Sequence, residues 1–251
     1  MEDKNDGLQK SPLPSITLPK GGVAIQGSGE KFTANPSTGT GSMNIPIPTG
    51  PGRGGFGPSL NLSYDSGNAN GLFGFGWQLS VPSITRKTSR GIPRYCDSEA
   101  CDIFLISGAD DLVPVLNPDG SLYEDDKTLP GYIINRYHPR TEGSYNRVER
   151  WRSHTAIEDV HWRVTSSDNV LSIYGSSEES RIFNPENKLQ VFSWLLSETR
   201  DYKGNAILYQ YLKNNAIGLD LSLMHQRNRG SADDPRRSAN RYLKHIKYGN
   251  L

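Results

Sequence analysis

Cysteine is scarce: Cys96 and Cys101 are the two in 251 residues. So few exclude a disulfide scaffold and fit synthesis in the cytoplasm. No apolar run approaches the roughly 18 to 20 residues that a membrane-spanning helix needs. The first 15 residues, MEDKNDGLQKSPLPS, mix both charges around no apolar centre. They are not a Sec-type signal peptide, so the expectation is a chain made in the cytoplasm that becomes extracellular, or reaches a host, by another route. Charge of one sign is missing too. Twenty-eight basic residues face 27 acidic ones, net +1, and no global field draws nucleic acid or membrane. Hydrophobic content is 34%, low for a compact globule.

Catalytic and ligand-binding patterns are equally scarce. Neither G-x-x-x-x-G-K-[ST] nor G-x-S-x-G occurs. Gly50-Pro51-Gly52-Arg53-Gly54-Gly55 has G-x-G-x-x-G spacing, but Phe56-Gly57-Pro58 and an alternating run follow instead of the helix whose amides would hold a pyrophosphate. Cys96 and Cys101 lack a second pair of zinc ligands nearby. They read as free thiols, with a disulfide across a hairpin loop as the alternative. The histidines His138, His154, His161, His225 and His245 show no i, i+4 pair and no neighbouring nucleophile motif. Asp110-Asp111 and Glu124-Asp125-Asp126 lack calcium-loop spacing and read as solvated turns. Arg227, Arg229, Arg236, Arg237 and Arg241 form a basic run broken by Asp233-Asp234, without the aromatics of a nucleic-acid footprint. No catalytic, cofactor-binding or metal-binding residue is assigned, no cofactor is expected, and the chain reads as non-enzymatic.

What the chain does have is turns. It carries 26 glycines and 16 prolines, about one residue in six, which favours many short strands over long helices. Ser42–Pro48 and Ser59–Tyr64 alternate polar and apolar around the glycine-rich Thr49–Pro58. Gly71-Leu72-Phe73-Gly74-Phe75-Gly76-Trp77 alternates glycine with aromatics, and the whole stretch reads as a tightly turned meander with an aromatic core. Gln78–Arg86 reads as one strand with Pro82 at an edge or bulge. Gly91–Tyr95 and Asp102–Ile106 read as two strands around the cysteine loop. Leu112–Leu116 precedes the turn Asn117-Pro118-Asp119-Gly120. Val160–Val164, Val170–Gly175, Arg181–Phe183 and Leu189–Phe192 follow as strands. The clearest hairpin joins Phe192–Thr199 to Ala206–Leu212 through Asp201-Tyr202-Lys203-Gly204-Asn205. The fold class is therefore all-β, built of many short antiparallel strands and glycine-rich turns. Residues 1–14 read as a disordered leader, 15–251 as one β domain, and 217–240 as a long polar loop or partly ordered insert. The alternating run Arg241–Tyr248 so close to the C-terminus suggests that sheet partners lie beyond it.

Several runs together resemble a known family. They are Ser15–Ile25, Gly27–Phe32, Asn35–Ser42, Pro51–Pro58, Leu62–Gly67, Gly74–Trp77 and Pro82–Lys87. In this order they resemble the N-terminal domain of the Salmonella virulence plasmid B proteins (SpvB), which also opens the B subunits of insecticidal toxin complexes. The resemblance runs from about Ser15 to the end. It implies the start of a large β-sheet shell with RHS/YD-type repeats, enclosing a toxic C-terminal fragment. The implied partners are the other domains or subunits of such a complex, with neither nucleic acid nor membrane insertion. Asp201–Asn205 with Tyr209-Gln210-Tyr211 is similar to one YD-type unit. The family's actin-directed ADP-ribosyltransferase domain is not implied here. Its E-x-E glutamate pair has no counterpart, since Glu178 and Glu179 are adjacent and no two glutamates are separated by one residue. A non-catalytic structural module of a secreted toxin complex or virulence factor is the function this implies. The alternatives are a cryptic enzyme and a glycan- or receptor-binding module that stacks sugars on Trp151, Trp162 or Trp194.

Overall fold

A computed structural model describes residues 31–249 except 37, 98–100, 108–109, 142, 144, 216, 221, 230 and 232–233. The expected leader and the Ser15–Ile25 motif lie outside them. Four strands form a first antiparallel sheet: β1 (Lys31–Asn35), β2 (Thr40–Ile47), β3 (Leu60–Asp65) and, beyond the two-residue strands β4 (Asn70–Gly71) and β5 (Gly74–Phe75), β6 (Trp77–Leu79). The alternating runs around Thr49–Pro58 are thus β2 and β3, paired from Ser42↔Asp65 to Ile47↔Leu60. The aromatic core expected here is absent. Trp77 packs on Tyr64 at 5.2 Å, but Leu72, Phe73 and Phe75 are exposed on the β4–β5 hairpin. Among the described residues no second layer covers so short a hairpin, and its rings face outward.

The expected strand Gln78–Arg86 is two strands in two sheets. β6 ends at Leu79, Pro82 lies in the crossing, and β7 (Ser83–Arg86) begins the second sheet. Proline donates no ladder hydrogen bond, so it sits where the chain leaves one sheet for the other. The second sheet continues with β8 (Phe104–Ile106), β9 (Asp110–Pro114), β10 (Glu124–Asp125), β11 (Tyr132–Pro139), β12 (Arg147–Ser153), β13 (Val160–Thr165), β14 (Leu171–Tyr174), β15 (Arg181–Asn184), β16 (Asn187–Arg200), β17 (Ala206–Lys213) and β18 (Arg241–Tyr248). Antiparallel pairing runs β7-β8-β9-β11-β12-β13-β14, and β14 and β7 both pair with β16, which closes a ring of eight strands. Leu189–Phe192 and Phe192–Thr199 are one strand, the 14-residue β16. Its length lets it pair with β7 and β15 through one half and with β14 and β17 through the other.

An eight-stranded ring has room inside only for side chains. Every second residue of the ring strands fills it. Ile84, Phe104, Leu112, Tyr137, Val148, Trp162, Val164, Tyr174, Trp194 and Leu196 are all buried there. Trp162 lies 4.9 Å from Phe104, 4.9 Å from Tyr137 and 5.9 Å from Trp194, measured between ring centroids. The aromatic core therefore belongs to the barrel.

The hairpin β16–β17 turns at Asp201, whose carboxylate accepts hydrogen bonds from Lys203 N, Asn205 N and Asn205 Nδ2. This Asx geometry explains why the Asp-Tyr-Lys-Gly-Asn run makes the turn. β17 and β18 extend the sheet past the barrel. The Tyr248 side chain lies against Gly50 and Gly57, where a Cβ would stand 3.6 Å from its hydroxyl and 3.7 Å from its Cε2, so the glycine-rich loop of the first sheet packs on the end of β18. Between β17 and β18 the polar stretch holds two 3₁₀ turns, Met224–Arg229 and Pro235–Ser238.

Candidate functional site

The expected strand Gly91–Tyr95 is not one. After β7 the described residues up to Asp97 leave the sheet and lie against the mouth of the barrel, where Asp97 meets Arg86 and Arg150. Asp102 holds it there, accepting from Arg94 N and Tyr95 N at 2.9 Å each. Cys96 and Cys101 are bonded to each other, which decides between the thiol and disulfide readings. The residue after Cys96 is Asp97, and its carboxylate enters the barrel. Arg86 Nη1 donates to Asp97 Oδ1 at 2.6 Å and Nη2 to Oδ2 at 3.0 Å, while Arg150 Nη2 also donates to Oδ2. Arg86 further donates to Asp102 Oδ2 at 2.7 Å and to the Val191 carbonyl at 2.7 Å.

The two arginine side chains are 0% and 3% exposed. Charges so far from water are retained only when paired and hydrogen-bonded. The Phe104 ring lies under both guanidinium groups, at 5.0 and 5.5 Å. Burial works to raise the Asp97 pKa, but the hydrogen bonds and charges of Arg86 and Arg150 outweigh it, and the carboxyl titrates below the ordinary carboxylate range. Burial lowers the Arg150 pKa against the pull of Asp97. Arg150 Nε and Trp162 Nε1, on paired residues of β12 and β13, are buried without a hydrogen-bond partner.

A second buried polar cluster lies on the outer face of the same wall. His161 Nδ1 faces Asp159 Oδ1 at 3.3 Å, and its Nε2 accepts from Arg163 Nε at 3.3 Å. Arg163 stacks over Trp151 at 3.7 Å, and Trp151 Nε1 donates to Glu149. Tyr132 and Arg181 both donate to Asp159. Burial first, helped by Arg163, holds the His161 pKa below its ordinary value.

The other singled-out residues are not brought together. Asp111 pairs with Lys87 and Arg140. Asp125 accepts from Lys127 N and Thr128 N, and Glu124 pairs with Arg152. Arg236 is tied to Asp234, and Arg241 is buried against Phe183. Trp162 and Trp194 are core residues and Trp151 is buried in the outer cluster, so none offers a face to a sugar. Among the described residues no group of three or more His, Cys, Asp or Glu side chains is placed to hold a metal ion. None of the described helices is long and apolar enough to cross a membrane.

Sequence reasoning missed the Arg86–Asp97–Arg150 constellation. Its one local signal was an aspartate directly after each cysteine. β18 pairs with β17 along one edge, and its other edge has no strand partner among the described residues. A groove of about 620 Å³ lies against the β17–β18 pair, lined by Ser177, Glu179, Tyr209, Tyr211, Lys244 and Lys247.

Comparison with known proteins follows this geometry closely. The family model described as Salmonella virulence plasmid 65kDa B protein matches residues 35–251. A mono(ADP-ribosyl)transferase SpvB of Salmonella typhimurium is 35% identical over 255 residues, covering 98% of this chain and 40% of the relative. The structure of the N-terminal domain of effector protein SpvB from Salmonella typhimurium strain LT2 aligns with a TM-score of 0.68 at 34% identity, over 82% of this chain and 63% of that one. The crystal structure of TcdB2-TccC3 aligns with a TM-score of 0.75 at 31% identity, over 95% of this chain and 11% of that one. The chain thus spans about two fifths of the length of the curated relatives it matches.

Proposed function

The chain belongs to the SpvB family, and from that membership we propose that it is a non-catalytic β module of a virulence factor or toxin complex. Its role is to supply wall and sheet edge to a larger β shell that encloses or delivers a toxic partner domain. The observation that carries this reading is the β18 edge. A strand of eight residues whose outer row of backbone groups has no strand partner among the described residues is a template for another strand, and soluble proteins ordinarily cover or blunt such an edge. The likeness to the TcdB2-TccC3 structure over nearly the whole chain supports partners of the toxin-complex kind. The name mono(ADP-ribosyl)transferase belongs to relatives whose remaining length this chain does not cover. The likeness to the SpvB N-terminal domain supports a role apart from the transferase reaction. Being part of an effector or toxin complex also means that the protein acts outside the cell that makes it.

Two measurements test this. Sedimentation velocity of the purified chain should show concentration-dependent self-association through its open edges. A monodisperse monomer at all concentrations counts against the shell role. Incubation with NAD and actin should give neither NAD hydrolysis nor label transfer, and either product would establish an enzyme instead.

A further inference from the structure

The Cys96–Cys101 bridge joins two observations that pull in opposite directions. The chain has few cysteines, as proteins made in a reducing cytosol do, yet its two cysteines are bonded. Disulfides persist in oxidising surroundings and are rare where cellular thiols are kept reduced. The bridge also has a particular load. It closes a short loop whose first residue, Asp97, has a carboxylate shared by Arg86 and Arg150. Asp102, just past Cys101, is the second partner of Arg86 and holds the backbone of Arg94 and Tyr95. Each of the two anions thus directly follows one of the bridged cysteines.

We propose that Cys96–Cys101 is a redox latch that locks the barrel mouth when oxidised and loosens it when a cellular dithiol reduces it. The exchange is a two-electron step. One thiolate of the dithiol attacks a bridge sulfur, the S–S bond breaks, and the departing cysteine thiolate takes up a proton. The second thiolate of the dithiol then attacks the mixed disulfide. It closes the reductant into its own disulfide and frees the other cysteine as a thiol. With the bridge open, Asp97 and Asp102 are no longer held at one spacing. The segment between Lys87 and Asp97 exchanges its contacts with Arg86 and Arg150 for water. The β strands of the barrel keep their ladders, because the bridge joins no two of them.

Trypsin reads this directly, since Arg90 and Arg94 are exposed residues of that segment. The oxidised 251-residue chain is compared with the same chain in excess dithiothreitol. Thiol alkylation and mass measurement report the state of the bridge. Reduction is expected to speed cleavage after Arg90 and Arg94 at least tenfold, while cleavage within β11 to β13 stays unchanged. Oxidised D97N is expected to show the same local acceleration with its bridge intact, which ties the effect to the carboxylate. Three results overturn the proposal. They are equal cleavage rates before and after reduction, cleavage that sweeps all strands at one rate on reduction, and free thiols in chain purified without reductant. Because the comparison is made on one parent protein, it does not depend on any variant folding.

Discussion

Arg86 and Arg150 stand on strands four places apart around the eight-strand ring, β7 and β12, and both hydrogen-bond the carboxylate of Asp97. One anion therefore ties opposite walls of the barrel together through its mouth. The arrangement is costly to assemble, because two guanidinium groups leave water, and costly to break, because each then lacks its counter-charge.

Removing the anion should be worse than removing the whole network. Asp97→Ala is expected to lower unfolding free energy by about 3–5 kcal/mol, the usual penalty for stranding a buried charge. Asp97→Ala/Arg150→Met should recover part of that loss by deleting one stranded cation. Urea unfolding of the single and double variants decides it. A single variant within experimental error of the parent would mean that the mouth contributes nothing to holding the ring.

Gly175 turns the chain out of β14 with φ +70°, and a Cβ there would lie 2.3 Å from Trp194 Cδ1. Gly175→Ala must therefore move the central indole. The expected cost is about 2–3 kcal/mol, from overpacking added to a left-handed backbone. Gly120→Ala shares the positive φ but meets nothing within 4 Å, so it should cost only about 1 kcal/mol. Thermal unfolding of the pair separates backbone strain from core displacement.

The His161 cluster sets an acid limit on stability. Burial favours the neutral ring, Arg163 opposes its protonation and Asp159 favours it; the net pKa is lowered from 6.5. An unfolded chain therefore binds a proton that the folded chain refuses. Stability from this site is complete above the unfolded value and is lost as pH falls below it. Tyr132, Glu149 and Arg181 complete the charged and titratable surroundings and leave that sign unchanged. Asp97 acts lower down, because its depressed pKa makes its contribution fade only below 3.8. Denaturation midpoints measured from pH 7 to 5 should fall for the parent and flatten in His161→Phe.

Tyr211 joins the β17–β18 extension to the barrel by donating to the Leu196 carbonyl at 2.7 Å, and burial raises its pKa. Tyr211→Phe should cost about 1 kcal/mol, the net worth of one such bond. Hydrogen exchange should rise along β17 before it rises along β12. A uniform rise would mean that the extension and the barrel open as one unit.

Local alternation and turn chemistry were enough to place most strands, because both act between near neighbours. Val160–Val164 and Arg241–Tyr248 are strands where their period of two predicted them, and Asp201–Asn205 turns as its Asx chemistry requires. The all-β class and the family resemblance were legible in the same way. The chain could not show by itself where a strand changes partners. Gln78–Arg86 reads as one strand with Pro82 at an edge or bulge, yet Pro82 divides it between two sheets. Phe73 and Phe75 look like core and face outward, because no layer among the described residues covers their short hairpin. Ring closure depends on β16 meeting β14 and β7 at once, residues far apart in the chain. The pairing of Asp97 with Arg150 follows from that closure, since only the ring brings position 150 to the mouth where the cysteine loop lies. Strand identity is short-range and was determined by the sequence alone, whereas the enclosed charges and the bridge beside them are long-range consequences of the closed barrel.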